Sequence, residues 1–237
     1  MTLLIEIENL SKRFVLHHRG DAELPVLAKL SLRVESGECV ALQGPSGAGK
    51  STVLKCIYGS YRASSGAVRV RHQERMQDMT SATPREVLAV RRDSLSYVSQ
   101  FLRVIPRVTS ERIVAEALLD SGASSAAVDA ALADARTLLG RLNISSRLAG
   151  LPPATFSGGE QQRVNLARGL IRPRPVLLLD EPTASLDDAN RAVVVDLIRE
   201  ARERGAAVIG IFHDSEVRAA VATRILDIAA FKPECQR

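Results

Sequence analysis

With 237 residues, 46% of them hydrophobic and 25% charged, the chain is long enough for one sizeable α/β domain, and its core needs no disulfide support. Cys39, Cys56 and Cys235 are odd in number and lack C-x-x-C spacing, which argues against a disulfide framework or a zinc site and suits the reducing cytoplasm where the chain is expected to reside. The net charge of +5 is spread over scattered basic residues with only 3% aromatics, so no stacking platform exists and no direct nucleic-acid partner is expected.

From the N-terminus, Ile5 and Ile7 alternate with Glu6 and Glu8, and Val68, Arg69, Val70 and Arg71 repeat that period of two. Both stretches read as half-exposed strands of an antiparallel sheet. The charges at Glu6 and Glu8 also exclude a signal peptide there, and no apolar run approaches about 18 residues, so no transmembrane segment is expected. Cys39-Val40-Ala41-Leu42 is different: a short continuous apolar run, as a parallel strand covered on both faces requires.

That run feeds Gly44-Pro45-Ser46-Gly47-Ala48-Gly49-Lys50-Ser51, which fits G-x-x-x-x-G-K-S. Phosphates need backbone N–H groups at close approach, and a loop carrying Gly44, Gly47 and Gly49 presents them at the positive end of a helix. Lys50 is expected to reach the β- and γ-phosphates of a nucleotide and Ser51 to ligate Mg²⁺. Thr52 lies at the α-phosphate end of the same helix start.

Further along, Val128, Ala131, Leu132, Ala135, Leu138, Leu139 and Leu142 fall at helical spacing, which predicts an amphipathic helix over 124–142. Ser157-Gly158-Gly159-Glu160 matches a capping box and opens a second glycine-rich helix start, a candidate second anion site. Val176 to Leu179 is another buried-strand run and ends in Asp180-Glu181, two carboxylates where ligands of open α/β sheets collect. Asp180 is expected to hold Mg²⁺, and Glu181 to orient or deprotonate an attacking water. Asn190 to Arg204 reads as a helix stopped by Gly205, and Ala207 to Phe212 as a further buried strand.

Gly44 to Ser51, Gln100, Phe156 to Arg163, Val176 to Glu181, Ser185-Leu186-Asp187 and His213 resemble, in order and over essentially the whole chain, the P-loop, Q-loop, signature, Walker B, D-loop and switch histidine of ABC-type ATPases. The resemblance implies a P-loop NTPase of ABC type: a RecA-like parallel core sheet, an antiparallel β subdomain, and a helical signature subdomain at about 101–165 inserted in a single domain spanning 1–237. It also implies ATP and Mg²⁺ bound in a head-to-tail dimer. Ser157, Gly158, Gly159, Glu160, Gln161 and Asp187 then act in trans, Gln100 senses Mg²⁺ and the water, and His213 contacts the γ-phosphate. Phe14 sits where the family often stacks an aromatic ring on adenine, with a core role as the competing reading. His17, His18 and Cys56 read as structural or solvated.

Ser99 to Arg107, Leu54 to Tyr61, Phe156 to Arg168, Pro182 to Asp187 and Gly210 to Asp214 further resemble the L-subunit family of the bacterial carbon-phosphorus lyase system. That likeness implies an accessory ATPase supporting formation of a ribose 1-phosphonate 5-triphosphate, as a homodimer or paired with the K subunit, with Arg103 and Arg107 facing a soluble lyase core complex. No residue in the chain is suited to forming the ribose–phosphonate link itself. The alternative is the ATPase motor of a membrane transporter for lipoprotein or small-molecule export, in which the segment after Gln100 docks on membrane subunits. A non-hydrolysing adaptor is disfavoured by intact Glu181 and His213.

Overall fold

A computed structural model describes residues 2–16, 22–102 and 106–233. Two long strands, β1 (Leu3–Leu16) and β2 (Ala22–Glu35), pair antiparallel, and β1 also pairs antiparallel with β4 (Ser65–His72), which turns back into β5 (Arg75–Asp78). The order β2-β1-β4-β5 is the antiparallel sheet that the alternating pattern predicts. Ile5 and Ile7 are buried, whereas Glu6 on the other face bridges Arg33 and Arg69, each at 2.9 Å, the residues directly opposite it on β2 and β4. Cross-strand charge pairing of this kind fixes register, because a slip of one residue would put the carboxylates into the core.

The second sheet is parallel, in the order β6-β7-β8-β3-β9. Its strands are β3 (Cys39–Gln43), β6 (Leu95–Val98), β7 (Val176–Asp180), β8 (Ala207–Ile211) and β9 (Arg224–Asp227). The three continuous apolar runs are β3, β7 and β8, and their side chains divide by face. Cys39, Ala41, Leu177, Leu179 and Val208 enter one core with the helices, while Val40, Leu42, Leu178 and Ile209 enter another with the antiparallel sheet. A strand needs no polar alternation when both faces are covered.

Eight α-helices are present among the described residues. Those carrying or supporting the site are α1 (Lys50–Ile57), α6 (Gly158–Leu170), α7 (Asp188–Glu203) and α8 (Ser215–Val221). Helix α2 (Pro84–Asp93) is closed by a complete Thr83/Glu86 capping box. Between β6 and β7 in sequence, α3 (Ser110–Ala115), α4 (Ser125–Arg141), α5 (Ser146–Ala149) and α6 share one apolar core that includes Val114, Leu139 and Val164. The helix predicted over 124–142 is α4, with Ser124 as its N-cap and Ala131, Ala135 and Leu139 as its buried stripe. Helix α7 starts two residues before the predicted Asn190, because Asp187 caps it by accepting from the Asn190 N–H at 2.8 Å. Gly205, at φ 92°, stops it as expected.

Cys39 and Cys56 are buried free thiols whose pKa values burial pushes up to about 12 and about 11, so both stay protonated and inert. Cys235, His17 and His18 lie outside the described residues. No helix among the described residues is long and apolar enough to cross a membrane.

Leu178 is fully buried at the centre of β7. Leu178→Ala is expected to cost about 2–5 kcal/mol through lost transfer energy and the cavity left behind. Urea unfolding checks this: the midpoint should fall with little change in slope.

Candidate functional site

The carboxyl ends of β3, β7 and β8 and the chain following β6 converge, and each delivers part of one constellation. After β3, residues 44–49 curl into α1 through Gly49, which caps the helix in the left-handed region at φ 98°. A Cβ at Gly49 would approach the Leu27 side chain to 2.9 Å, so both conformation and space require glycine. Pro45, Ser46 and Gly47 are exposed, while Ala48 is buried and anchors the loop. Helix α1 has no side-chain cap and no acidic residue in its first turn, leaving its leading N–H groups to an external acceptor. The Lys50 ammonium bridges the Gly44 and Pro45 carbonyls at 2.7 and 2.9 Å, holding a positive charge over the loop. Thr52 follows on the first turn of α1.

Asp180 ends β7 and is only 4% exposed. Its Oδ1 accepts from Ser51 Oγ and its Oδ2 from the Tyr97 hydroxyl, each at 3.0 Å. Burial, and then the neighbouring Asp180 charge, hold the Tyr97 hydroxyl well above its ordinary pKa of 10.0, so it remains a donor. A hydroxyl and a carboxylate at hydrogen-bond distance form an all-oxygen donor set, the chemistry that Mg²⁺ takes. No group of three His, Cys, Asp or Glu side chains able to hold a metal occurs among the described residues, so a cation at Ser51 and Asp180 would need further oxygen donors such as an amide, phosphate or water.

One residue on, the backbone turns into the left-handed region at Glu181, φ 54°, an uncommon conformation for a non-glycine residue. Its N–H donates to the Ile211 carbonyl at 3.2 Å, tying it to the end of β8. The carboxylate is held on both oxygens: Gln100 Nε2 donates to Oε2 at 3.0 Å, and His213 Nε2 lies 2.8 Å from Oε1. With Glu181 ionised, His213 donates through Nε2–H. The sequence-predicted residues Gln100, Glu181 and His213 are thus brought together, and through Asp180 they adjoin Ser51.

The residues around Ser157 form a separate surface. Ser157 and Glu160 complete a reciprocal capping box at the start of α6, with Glu160 Oε2 2.8 Å from both the Ser157 nitrogen and hydroxyl. The carboxylate already engages donors at this helix start, so a phosphate arriving here has to share them with Glu160. This sets the α6 start apart from α1, whose first turn carries no carboxylate. Gln161 donates to the Phe156 carbonyl at 3.0 Å, and the backbone of Gly159 packs so close to the Ser185 carbonyl that a Cβ would stand 2.7 Å from it. Gly158 lies in open space, and Asp187 caps α7. Among the described residues no hydrogen bond joins 44–52 to 157–161.

Phe14 is half-buried with its ring edge against Tyr61, centroids 5.1 Å apart, and Lys12 Nζ lies 4.6 Å from its centroid. After Gln100, Phe101 is 74% exposed and Leu102 is buried, whereas Arg103, Val104 and Ile105 lie outside the described residues. A cavity of about 960 Å³ runs from Ser51, Asp180 and Gln100 to Phe101, Ile113 and Arg168. Sequence reasoning missed three residues: Tyr97, and the buried amides Gln162 and Asn165 on α6. Gln162 donates to the Pro182 carbonyl at 3.2 Å and Asn165 to the Ser99 carbonyl at 2.6 Å. Their signal was available, as polar residues on the buried face of a helix.

Residues 27–184 match the protein family described as ABC transporter. Over 228 residues the chain is 34% identical to the macrolide export ATP-binding/permease protein MacB of Salmonella typhimurium, covering 96% of this chain and 33% of that protein. The corresponding Burkholderia thailandensis protein is 36% identical over 228 residues, covering 95% and 33%. The chain therefore spans about a third of the length of the curated relatives it matches. Among solved structures, a dimeric post-hydrolysis state of the ATP-binding cassette MJ0796 bound to ADP and Pi superposes with a TM-score of 0.85 at 28% identity, covering 97% of this chain and 94% of that one. A second dimeric MJ0796 structure, described as a bacterial ABC transporter cassette, gives a TM-score of 0.84 at 27% identity, with 95% of each chain covered.

Tyr97→Phe removes one of two donors from a buried carboxylate and is expected to cost about 1–3 kcal/mol in urea unfolding. The folded-state pKa of Tyr97 lies above its unfolded value of 10.0, so its stabilisation is complete below pH 10.0 and is lost as pH rises beyond it towards the folded value. The stability of Tyr97→Phe should therefore decline less steeply than wild type above about pH 10.

Proposed function

The chain belongs to the ABC transporter family as an ATP-hydrolysing cassette, and we propose that it is the motor subunit of a membrane export system, working as a head-to-tail dimer against permease subunits. What carries this reading is the likeness along almost the whole chain to macrolide export proteins. The carbon-phosphorus lyase resemblance finds no counterpart in these relatives, so the export motor is preferred over an accessory ATPase of phosphonate breakdown.

In this reading the open N–H groups of α1 and the Lys50 ammonium bind the β- and γ-phosphates of ATP, with Gly44 to Thr52 forming the cradle. Ser51 and Asp180, with the Gln100 amide oxygen, phosphate and water, would hold Mg²⁺, which would neutralise phosphate charge. Glu181 accepts a proton from the attacking water, Gln100 orients that water, and His213 contacts the γ-phosphate. Both Glu181 oxygens are already hydrogen-bonded, so a water has to displace or join one of these contacts. His213, with a side chain 61% exposed, is the partner free to swing away and meet the phosphate. The start of α6, from Ser157 to Gln161, is kept apart from the chain's own cradle and meets the nucleotide of a second subunit, with Asp187 beside it. Phe14 offers a ring face for adenine. The cavity leading from Gln100 past the exposed Phe101 gives permease subunits a surface whose far end is Ser51 and Asp180.

Lys50→Ala is expected to weaken ATP binding about tenfold or more, since charge-assisted contacts to phosphate are lost. Equilibrium titration with a fluorescent ATP analogue measures it, and wild-type affinity would remove Lys50 from this role. Glu181→Gln should keep ATP, lose turnover about a hundredfold or more, and persist as a closed dimer in light scattering. An ATP-loaded mutant that stays monomeric and hydrolyses at the wild-type rate contradicts both halves. Tagged Glu181→Gln protein purified with ATP from detergent-solubilised native cells should bring down integral membrane permease subunits. Recovery of soluble carbon-phosphorus lyase subunits or the K subunit instead would return the chain to phosphonate chemistry.

A further inference from the structure

Gln162 and Asn165 stand one helical turn apart on α6, so they share one face, and each is only 5% exposed. Polar side chains at such depth persist when their hydrogen bonds are satisfied, and both spend their donors on main-chain carbonyls. Gln162 Nε2 lies 3.2 Å from the Pro182 carbonyl oxygen and 3.4 Å from that of Glu181. Asn165 Nδ2 lies 2.6 Å from the Ser99 carbonyl oxygen. These acceptors flank the two side chains that meet at 3.0 Å, Gln100 and the Glu181 carboxylate.

The backbone at Glu181 needs such support. Left-handed geometry at a glutamate is strained and persists only where the surroundings over-determine it. The Ile211 carbonyl fixes the N–H side of Glu181 and Gln162 fixes the carbonyl side. Gln162 is the fifth residue of a helix that begins at Gly158-Gly159, where the backbone abuts Ser185. A shift of the start of α6 is thus within two turns of Gln162 and Asn165.

We propose that Gln162, assisted by Asn165, is a positioning residue for ATP hydrolysis: the two amides clamp the chain segments bearing Glu181 and Gln100 to α6, so that contact at the start of α6 re-aims the catalytic carboxylate of the same subunit. The inference rests on the reading of Glu181 as the catalytic carboxylate. Neither amide touches nucleotide in this account, which separates a positioning role from a binding one.

Gln162→Met keeps length and approximate volume and removes the donor. Turnover is expected to fall about a hundredfold, the scale of a misplaced catalytic group, with the dissociation constant for a fluorescent ATP analogue changed by no more than about twofold. In the Glu181→Gln background the same substitution should cause no further loss, because Gln162 acts only through Glu181. Asn165→Leu, close in shape and lacking the donor, provides a second variant with the same expected loss of kcat alone. Wild-type turnover in both variants, a loss of ATP binding in step with turnover, or a full additional loss on top of Glu181→Gln overturns the proposal. If Glu181→Gln itself hydrolyses at the wild-type rate, the assignment of Glu181 falls and this inference with it. Loss in Glu181→Gln but not in Gln162→Met overturns this inference alone.

Discussion

Strand β7 has to be apolar on both faces and yet end in two adjacent carboxylates, and most of the molecule is arranged around that requirement. Its side chains alternate between two cores, Leu177 and Leu179 with the helices and Val176 and Leu178 with the antiparallel sheet. Alternation would send Asp180 and Glu181 to opposite faces had the strand simply continued. Instead the chain breaks into left-handed geometry at Glu181. Asp180 remains in the sheet, buried against Ser51 and Tyr97, while the Glu181 carboxylate meets Gln100 and His213. The turn instead keeps both carboxylates at the same carboxyl end of the sheet, Asp180 against Ser51 and Glu181 against Gln100 and His213.

The helix starts sort anions by the same economy of means. Helices α2 and α6 begin with complete capping boxes, so a carboxylate of the chain already occupies their positive ends. Helix α1 begins at a glycine with no side-chain cap and has a lysine as its first residue. In the absence of internal competition, α1 is where an external phosphate gains most from the oriented N–H groups. At α6 the gain is smaller, which fits a site completed only when a second subunit supplies the rest of the contacts.

Much of this was legible in the sequence, and the parts that were not share a cause. The apolar runs at Cys39, Val176 and Ala207 announced parallel strands because burial on both faces removes polar alternation, and the glycine-lysine pattern announced the cradle because few other chemistries need it. The start of α7 was read two residues late, since the capping role of Asp187 was overshadowed by its place in a family motif. Thr83-Pro84-Arg85-Glu86 held a readable helix start that hydrophobic periodicity did not flag, as α2 has a single fully buried residue, Val90. The partners of Tyr97, Gln162 and Asn165 lie 83, 20 and 66 residues away, beyond the reach of local patterns, although the burial of the two amides on one helix face was readable. The choice between export motor and phosphonate accessory was likewise not written in the motifs, which serve ATP in either setting.

That last ambiguity has a structural counterpart. Ser51, Asp180 and Gln100 line one end of the cavity, and Phe101, next to Gln100 in the chain and 74% exposed, lies beyond them. In the proposed export-motor reading, a permease pressing on Phe101 would reach the Glu181 carboxylate through a single peptide unit and the Gln100 amide. Such a short path lets the catalytic end stay constant while the partner end diverges, since substitutions around Phe101 need not disturb the hydrogen bonds at Glu181. In that reading, partner choice falls to the surface around Phe101 rather than to the residues at Glu181.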